Sequence, residues 1–384
     1  MGHFYDVRVT NPDGGTVTAP YFTPCQIAGQ VALLGAIFLA TFVASCAWLG
    51  RCLPFPDVSM VWRKMEHLAR HGDEYDVLFL GSSRVQSQIM PSIFDRIAGE
   101  NGVPVKSFNA GIPAMVSPED SYVLEEILRR PHPRLRWVFV ELSRLETALD
   151  REGTSRFGYW HDAARLMLIV RRLWGQAIEN QSALAKDPAA TFGARCGIWN
   201  AAAGQILGHA RYGLTRAINL GRGTEVMERW LRPPGEKSRS GKSMGEKGDG
   251  WMPGDPDLQQ MSGAMAEKYE KLYTERLAKP SGKERGDPVS QLALERLLAA
   301  VGKSGATPVL IVPPTPTEQH FFPTVERERE LTVLDFSDVR QYAALFAPEH
   351  RRDVEHINTV GAELFTQIIA QRFVELAKRR GPMP

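Results

Sequence analysis

The sequence predicts an α/β protein: a doubly wound parallel sheet, preceded by an N-terminal transmembrane helix and interrupted by a helical, partly disordered insertion. Three observations predict it. The stretch Ile27–Leu49 carries no charged side chain. Short apolar runs, each bounded by glycine or polar residues, alternate with amphipathic helical stretches before residue 145 and again from Val289 onward. Between those regions the strand signals fade. Strands alternating with helices at this spacing imply a parallel sheet with helices on both faces. Ligands of such sheets gather at the carboxyl ends of the strands.

The 384 residues suit one large domain or two smaller ones, at ~100–200 residues per domain. With 43% hydrophobic and 23% charged residues, the chain can bury a proper core. A net charge of +2 without a basic stripe argues against a nucleic-acid partner. Cys25, Cys46, Cys52 and Cys196 form no Cys-x-x-Cys and have no histidine at metal spacing. Neither a zinc site nor any cofactor is therefore expected. Cys52 and Cys196 are the one pair able to join outside the cytoplasm.

Taken in order, residues 1–26 are polar and turn-rich (Asn11-Pro12-Asp13-Gly14-Gly15) and read as a short tail. Residues 27–50 match the ~20 apolar residues that cross a bilayer's hydrocarbon. A buried core helix rarely runs that long without a charged face. Val43-Ala44-Ser45-Cys46 also resembles a lipoprotein cleavage box, but Arg8 is the one basic residue before it, a weak n-region. The domain proper occupies residues 55–384. Val58–Arg70 reads as a lead-in helix, and Asp76–Leu80, closed by Gly81, as a buried strand. Pro91–Ala98 is a helix with Ile93, Phe94 and Ile97 on one side. Val103–Phe108 and Arg136–Leu142 are further strands, with the amphipathic helix Glu119–Arg130 between them.

An insertion spans about 160–290. Asp162–Ala185 and Trp199–Leu231 look helical. Residues 233–263 read as flexible, because Pro-Pro-Gly, Lys-Ser-Arg-Ser-Gly-Lys-Ser and Pro-Gly-Asp-Pro bury too little apolar surface to order themselves. Ala264–Leu277 and Val289–Val301 are helices, Thr307–Pro314 and Leu331–Phe336 strands, and Val360–Arg379 a closing amphipathic helix.

Two constellations carry chemistry. Leu80-Gly81-Ser82-Ser83-Arg84 follows the first strand, where a turn exposes a hydroxyl and the next helix aims N–H groups at developing negative charge. An ordinary turn with serine as helix N-cap explains the same fragment. Asp353-Val354-Glu355-His356-Ile357-Asn358 precedes the last helix. There a carboxylate three residues before an imidazole can orient it to take a serine proton. His350 is a neighbouring decoy; His356 is preferred because it adjoins Ile357 at the helix entrance.

Together, Gly-x-Ser after the first strand and Asp-x-x-His before the last helix resemble the SGNH (GDSL-like) hydrolase superfamily, whose sheet is flavodoxin-like. The Gly-Ser-Ser-Arg form, the membrane helix and the run Ser107-Phe108-Asn109-Ala110-Gly111-Ile112-Pro113 resemble its membrane-anchored branch. That branch is found beside membrane-bound O-acyltransferases in bacterial exopolysaccharide acetylation. The resemblance covers about 76–145 and 305–375. It implies Ser83 as nucleophile, with Ser82 where the family has Asp, and Asp353 and His356 as its partners. It implies the Gly111 N–H as an oxyanion donor, with Asn109 close by. The third block departs: Glu141-Leu142-Ser143-Arg144 stands where the family has Gly-x-Asn-Asp. Ser143 and Asn109 are the candidate substitutes for the missing Asn.

The function so implied is transfer of an acyl (acetyl) group to, or its removal from, a surface or exported polysaccharide. The domain would then face the periplasm from a single-pass anchor in a bacterial inner membrane. Positive-inside counting points the other way, since Arg51, Arg63 and Lys64 follow the apolar stretch. The altered third block leaves a second reading: a catalytically weak or inactive partner that binds polysaccharide or a membrane-bound O-acyltransferase. A tethered esterase or lipase is the third, and it requires an apolar groove and a lid. Tyr159-Trp160-His161-Asp162 reads either as a packed helix start or as a sugar-facing loop. Lys237–Lys247 reads as a solvated loop or as a contact for anionic lipid or polysaccharide.

Overall fold

The computed structural model describes residues 5–10, 16–21, 24–149, 155–187, 189, 191–231, 244–254, 260–278, 285–317 and 322–380. The chain divides into two compact units. One is Met1–Pro54 with Ala217–Met227; the other is Phe55–Arg216 with Glu228–Pro384.

In the first unit, the segment expected to be a tail holds two strands, β1 (Tyr5–Thr10) and β2 (Thr16–Tyr21), paired antiparallel. Both are rich in valine and threonine, which favour extended backbone. The Asn-Pro-Asp-Gly-Gly turn lies outside the described residues. Helix α1 (Pro24–Cys52) is long and apolar enough to cross a membrane, and none of its residues is buried. Near its end, Asn219 Nδ2 donates to the Cys46 carbonyl at 2.7 Å, and Arg222 donates to the Pro54 carbonyl.

The second unit opens with α2 (Ser59–His71), β3 (Val77–Leu80), α3 (Ser83–Gln88), α4 (Pro91–Glu100), β4 (Ser107–Asn109), α5 (Glu119–Leu128) and β5 (Trp137–Glu141). Helices α6 (Ser155–Gly158), α7 (Ala163–Leu184), α8 (Phe192–Ala217) and α10 (Gly263–Ala278) follow, and α9 (Arg222–Leu231), between α8 and α10 in the chain, starts in the first unit and ends in the second. It closes with α11 (Pro288–Lys303), β6 (Thr307–Val312), α12 (Val325–Glu330), β7 (Thr332–Asp335), α13 (Ala343–Phe346) and α14 (Thr359–Arg379). The five strands form one all-parallel sheet in the order β4-β3-β5-β6-β7.

The sheet is buried on both faces, as its continuous apolar runs dictate. Alternation sorts the side chains. Leu78, Leu80, Val138, Val140, Leu310 and Val312 join one core with α2, α5 and α11. Val77, Phe79, Trp137, Phe139, Val309 and Ile311 join the other with α4 and α14. There Phe79, Phe94, Phe139 and Phe373 meet at ring-centroid distances of 4.9–6.0 Å.

Three elements differ from expectation. The second strand keeps only Ser107–Asn109, since Pro104 cannot donate to a ladder. The helix expected over Trp199–Leu231 is two helices, α8 and α9, parted where Asn219 (φ 55°) and Gly221 (φ 79°) turn left-handed. Within the stretch expected to be flexible, residues 244–254 are tied to the domain. The Asp249 carbonyl accepts from Asn109 N at 2.9 Å, Met252 N donates to the Gln86 carbonyl at 3.2 Å, and Trp251 Nε1 donates to the Ser87 carbonyl at 3.1 Å. Residues 232–243 and 255–259 of that stretch lie outside the described residues.

Lys64 is the polar tie of this region. Its ammonium is fully buried and donates to the carbonyls of Asn109 (2.9 Å), Gly111 (2.6 Å) and Gly250 (2.7 Å). Lys64, expected among the juxtamembrane charges, is a core residue instead. Burial pushes its pKa down to about 7, opposed by the nearby Asp249 carboxylate.

Candidate active site

The site forms at the carboxyl ends of β3, β4, β5 and β6. Ser82 ends the β3 turn as the N-cap of α3, its Oγ accepting from Arg84 N at 3.2 Å. This is the bland role that sequence allowed for a serine here, and Ser82 fills it. Ser83 is left as the first helical residue, where its Oγ lies 2.7 Å from His356 Nε2. Gly81 is required by close approach: a Cβ there would stand 2.4 Å from Val85 Cγ2 and 2.5 Å from Glu141 Oε2.

His356 and Asp353 come from a tight loop between β7 and α14. Asp353 Oδ1 accepts from the backbone N–H of Glu355 and of His356, both at 2.8 Å. Both carboxylate oxygens lie 2.9 Å from His356 Nδ1. Partial burial raises the Asp353 pKa, but the imidazole and the two N–H groups outweigh it and hold it down to about 2. An ionised carboxylate only accepts, so Nδ1 carries the ring proton and Nε2 of the neutral imidazole accepts from the Ser83 hydroxyl. Ser83, Asp353 and His356 are thus brought together in a relay competent for serine activation. His350 is elsewhere, its Nδ1 2.6 Å from the Ala344 carbonyl.

The three expected oxyanion residues are placed differently. The Gly111 N–H donates to Asn109 Oδ1 at 2.9 Å. Asn109, fully buried, spends its Nδ2 on the carbonyls of Val85 (2.8 Å) and Ile89 (2.7 Å). Ser143 Oγ accepts from Ser117 N at 3.0 Å and donates to Asp120 Oδ2 at 3.3 Å. Each group is committed to holding structure. The Ser83 N–H, at the head of α3, has no hydrogen-bond partner among the described residues.

Two residues that sequence reasoning missed complete the site. Glu141, buried at the end of β5, accepts from Ser82 N (2.6 Å), Ser82 Oγ (3.0 Å) and Arg84 Nε (2.7 Å). Arg84 also lies 3.8 Å from Glu355, whose carboxylate accepts from Thr315 Oγ1 at 3.0 Å. A charged residue closing an otherwise apolar buried strand was the available signal for Glu141. Arg351, in the charged run Glu349-His350-Arg351-Arg352, is fully buried. It donates to the carbonyls of Pro314 (2.8 Å) and Val354 (2.6 Å) and lies over the Tyr269 ring at 5.3 Å. It fastens the Asp353–His356 loop to the end of β6.

Tyr159, Trp160 and His161 are buried, and Asp162 caps α7 by accepting from Arg165 N at 2.9 Å. That segment is the packed helix start, not a sugar-facing loop. All four cysteines are free thiols. Among the described residues no three His, Cys, Asp or Glu side chains gather as a metal-ligand set. Compared with known proteins, the chain matches no family model and no curated protein.

Proposed function

We propose that this chain is a membrane-anchored, SGNH-type serine acyltransferase or esterase acting on acetyl groups of a surface or exported polysaccharide. The observation that carries this reading is the Ser83–His356–Asp353 relay at the carboxyl end of a parallel sheet. The strand order, with β4 on one side of β3 and β5, β6 and β7 on the other, supports a doubly wound, flavodoxin-like sheet. Ser83, at the head of α3 just after β3, and Glu141, at the end of the neighbouring β5, stand at its switch point. Helix α1 supplies the anchor, with the domain placed on the periplasmic side of a bacterial inner membrane.

In this mechanism His356 Nε2 takes the Ser83 proton as Oγ attacks the acyl carbonyl, and Asp353 stabilises the imidazolium. The Ser83 N–H faces the oxyanion at the N-terminal end of α3. His356 returns the proton to the departing alcohol, leaving an acyl-serine. A sugar hydroxyl or water, deprotonated by His356, then takes the acyl group and frees the serine. Turnover of 4-nitrophenyl acetate by the full chain is expected to fall at least ~10³-fold in Ser83→Ala. Equal turnover in both proteins would remove Ser83 from the chemistry.

One observation favours a second reading, a catalytically weak SGNH-like partner of a membrane-bound O-acyltransferase. Gly111, Asn109 and Ser143 each spend their donors internally, which leaves the oxyanion with fewer of them. Absence of turnover in the folded native chain, with water and with polysaccharide acceptors, selects this reading.

A further inference from the structure

Helix α8 is held to its unit along one line. His209 Nδ1 meets His161 Nε2 at 2.9 Å, His209 Nε2 meets the Thr147 carbonyl at 3.1 Å, and Arg216 Nε donates to the Tyr159 carbonyl at 2.8 Å. Away from that line, Phe192 (83% exposed), Trp199, Leu207 (69%) and Leu214 (62%) recur at the helical repeat and present one apolar stripe to the outside. Trp174 of α7, 54% exposed, extends the stripe, its ring centroid 4.9 Å from that of Trp199. A contiguous patch of this kind marks an interaction surface.

The charge of this segment identifies what covers it. From residue 188 to residue 224 the chain has four arginines, Arg195, Arg211, Arg216 and Arg222, and no acidic residue. Arg195 and Arg211 are exposed and, at ~100° per residue, stand on the two flanks of the stripe. Immediately after α8 the chain enters the segment whose Asn219 and Arg222 are bonded to the end of α1. Leu220 and Met227 of that segment are exposed as well. An apolar stripe with tryptophan, arginine flanks and no acidic residue is the composition of a helix lying in the headgroup–acyl boundary.

We propose that α8 lies along the surface of the bilayer that α1 enters, its stripe in the acyl boundary and Arg195 and Arg211 on anionic headgroups. This goes beyond the acyl-transfer reading and rests only on α1 being in the membrane. The test uses the full chain with Cys25, Cys46, Cys52 and Cys196 replaced by serine. It is reconstituted in phosphatidylcholine vesicles containing phosphatidylglycerol and labelled with an environment-sensitive fluorophore at Leu207→Cys or Leu214→Cys. Both labels should be blue-shifted and quenched more by a nitroxide near the headgroup than by one near the acyl terminus, a depth of about 5–10 Å. A label at Glu363→Cys, exposed on α14, should stay unquenched. A label at Leu34→Cys in α1 should be quenched more by the deep nitroxide.

Unquenched, water-like emission at Leu207→Cys and Leu214→Cys, with Leu34→Cys quenched, would overturn the proposal while leaving α1 in the membrane. Blue-shifted but unquenched emission would overturn it in favour of a second copy of the chain on the stripe. An unquenched Leu34→Cys would remove the membrane premise and the proposal with it.

Discussion

Glu141 holds four donor contacts from four atoms of Ser82 and Arg84, and its carboxylate is nearly sealed from solvent. A buried carboxylate of this kind persists because Arg84 and the Ser82 N–H compensate it. Glu141→Gln leaves the Arg84 guanidinium without its buried counter-charge, with an expected cost of about 3 kcal/mol, the low end of the range because Arg84 still reaches water and Glu355 at 3.8 Å. The denaturant midpoint reads that loss. The double variant Glu141→Gln, Arg84→Met should recover a good part of it, and a double variant worse than the sum of the singles would refute the pairing. Ser83, Asp353 and His356 were legible in sequence because each lies in a short motif beside a strand end or a helix entrance. Glu141 and Arg84 were not, since 57 residues separate them and only the β3–β5 pairing brings them together.

At the scale of elements, α3 is short, and its last turn is secured from outside by Asn109. The two carbonyls that Asn109 Nδ2 satisfies, those of Val85 and Ile89, belong to the helix that presents Ser83 and to its C-cap. Asn109→Ala is expected to destabilise the chain by about 1–3 kcal/mol, chiefly through the orphaned Ile89 carbonyl, since that of Val85 keeps the Ile89 N–H at 3.2 Å. Turnover should fall in kcat with little change in KM, since the helix shifts and the substrate contacts do not; a change in KM alone would contradict this. The helices and strands themselves were largely readable from periodicity. The break between α8 and α9 was not, because Ile218-Asn219-Leu220-Gly221 carries no proline and keeps an apolar rhythm. The paired strands β1 and β2 were masked in sequence by the turn-rich residues between them.

The whole domain is assembled from pieces far apart in the chain, and Lys64 makes this measurable. Its pKa is lowered from 10.5 to about 7 by burial. Between those values the unfolded chain holds a proton that the folded chain has released, so this group makes stability rise with pH across that window. Thermal unfolding followed from about pH 7 to pH 10 should show the rise in the native chain and not in Lys64→Met; parallel profiles would exclude it. No sequence pattern announced this role, because a lysine in a basic, amphipathic helix start is ordinarily solvated.

The carbonyls Lys64 binds also set an order of events during synthesis. Two of them are 45 and 47 residues away, but the third, Gly250, is 186 residues downstream. At ~5–20 residues per second, a ribosome needs on the order of ten to forty seconds to deliver it. Until then the lysine has two of its three acceptors and every reason to stay wet. The nascent chain therefore carries an unfinished β4 edge, and this interval is when a chaperone would have something to hold.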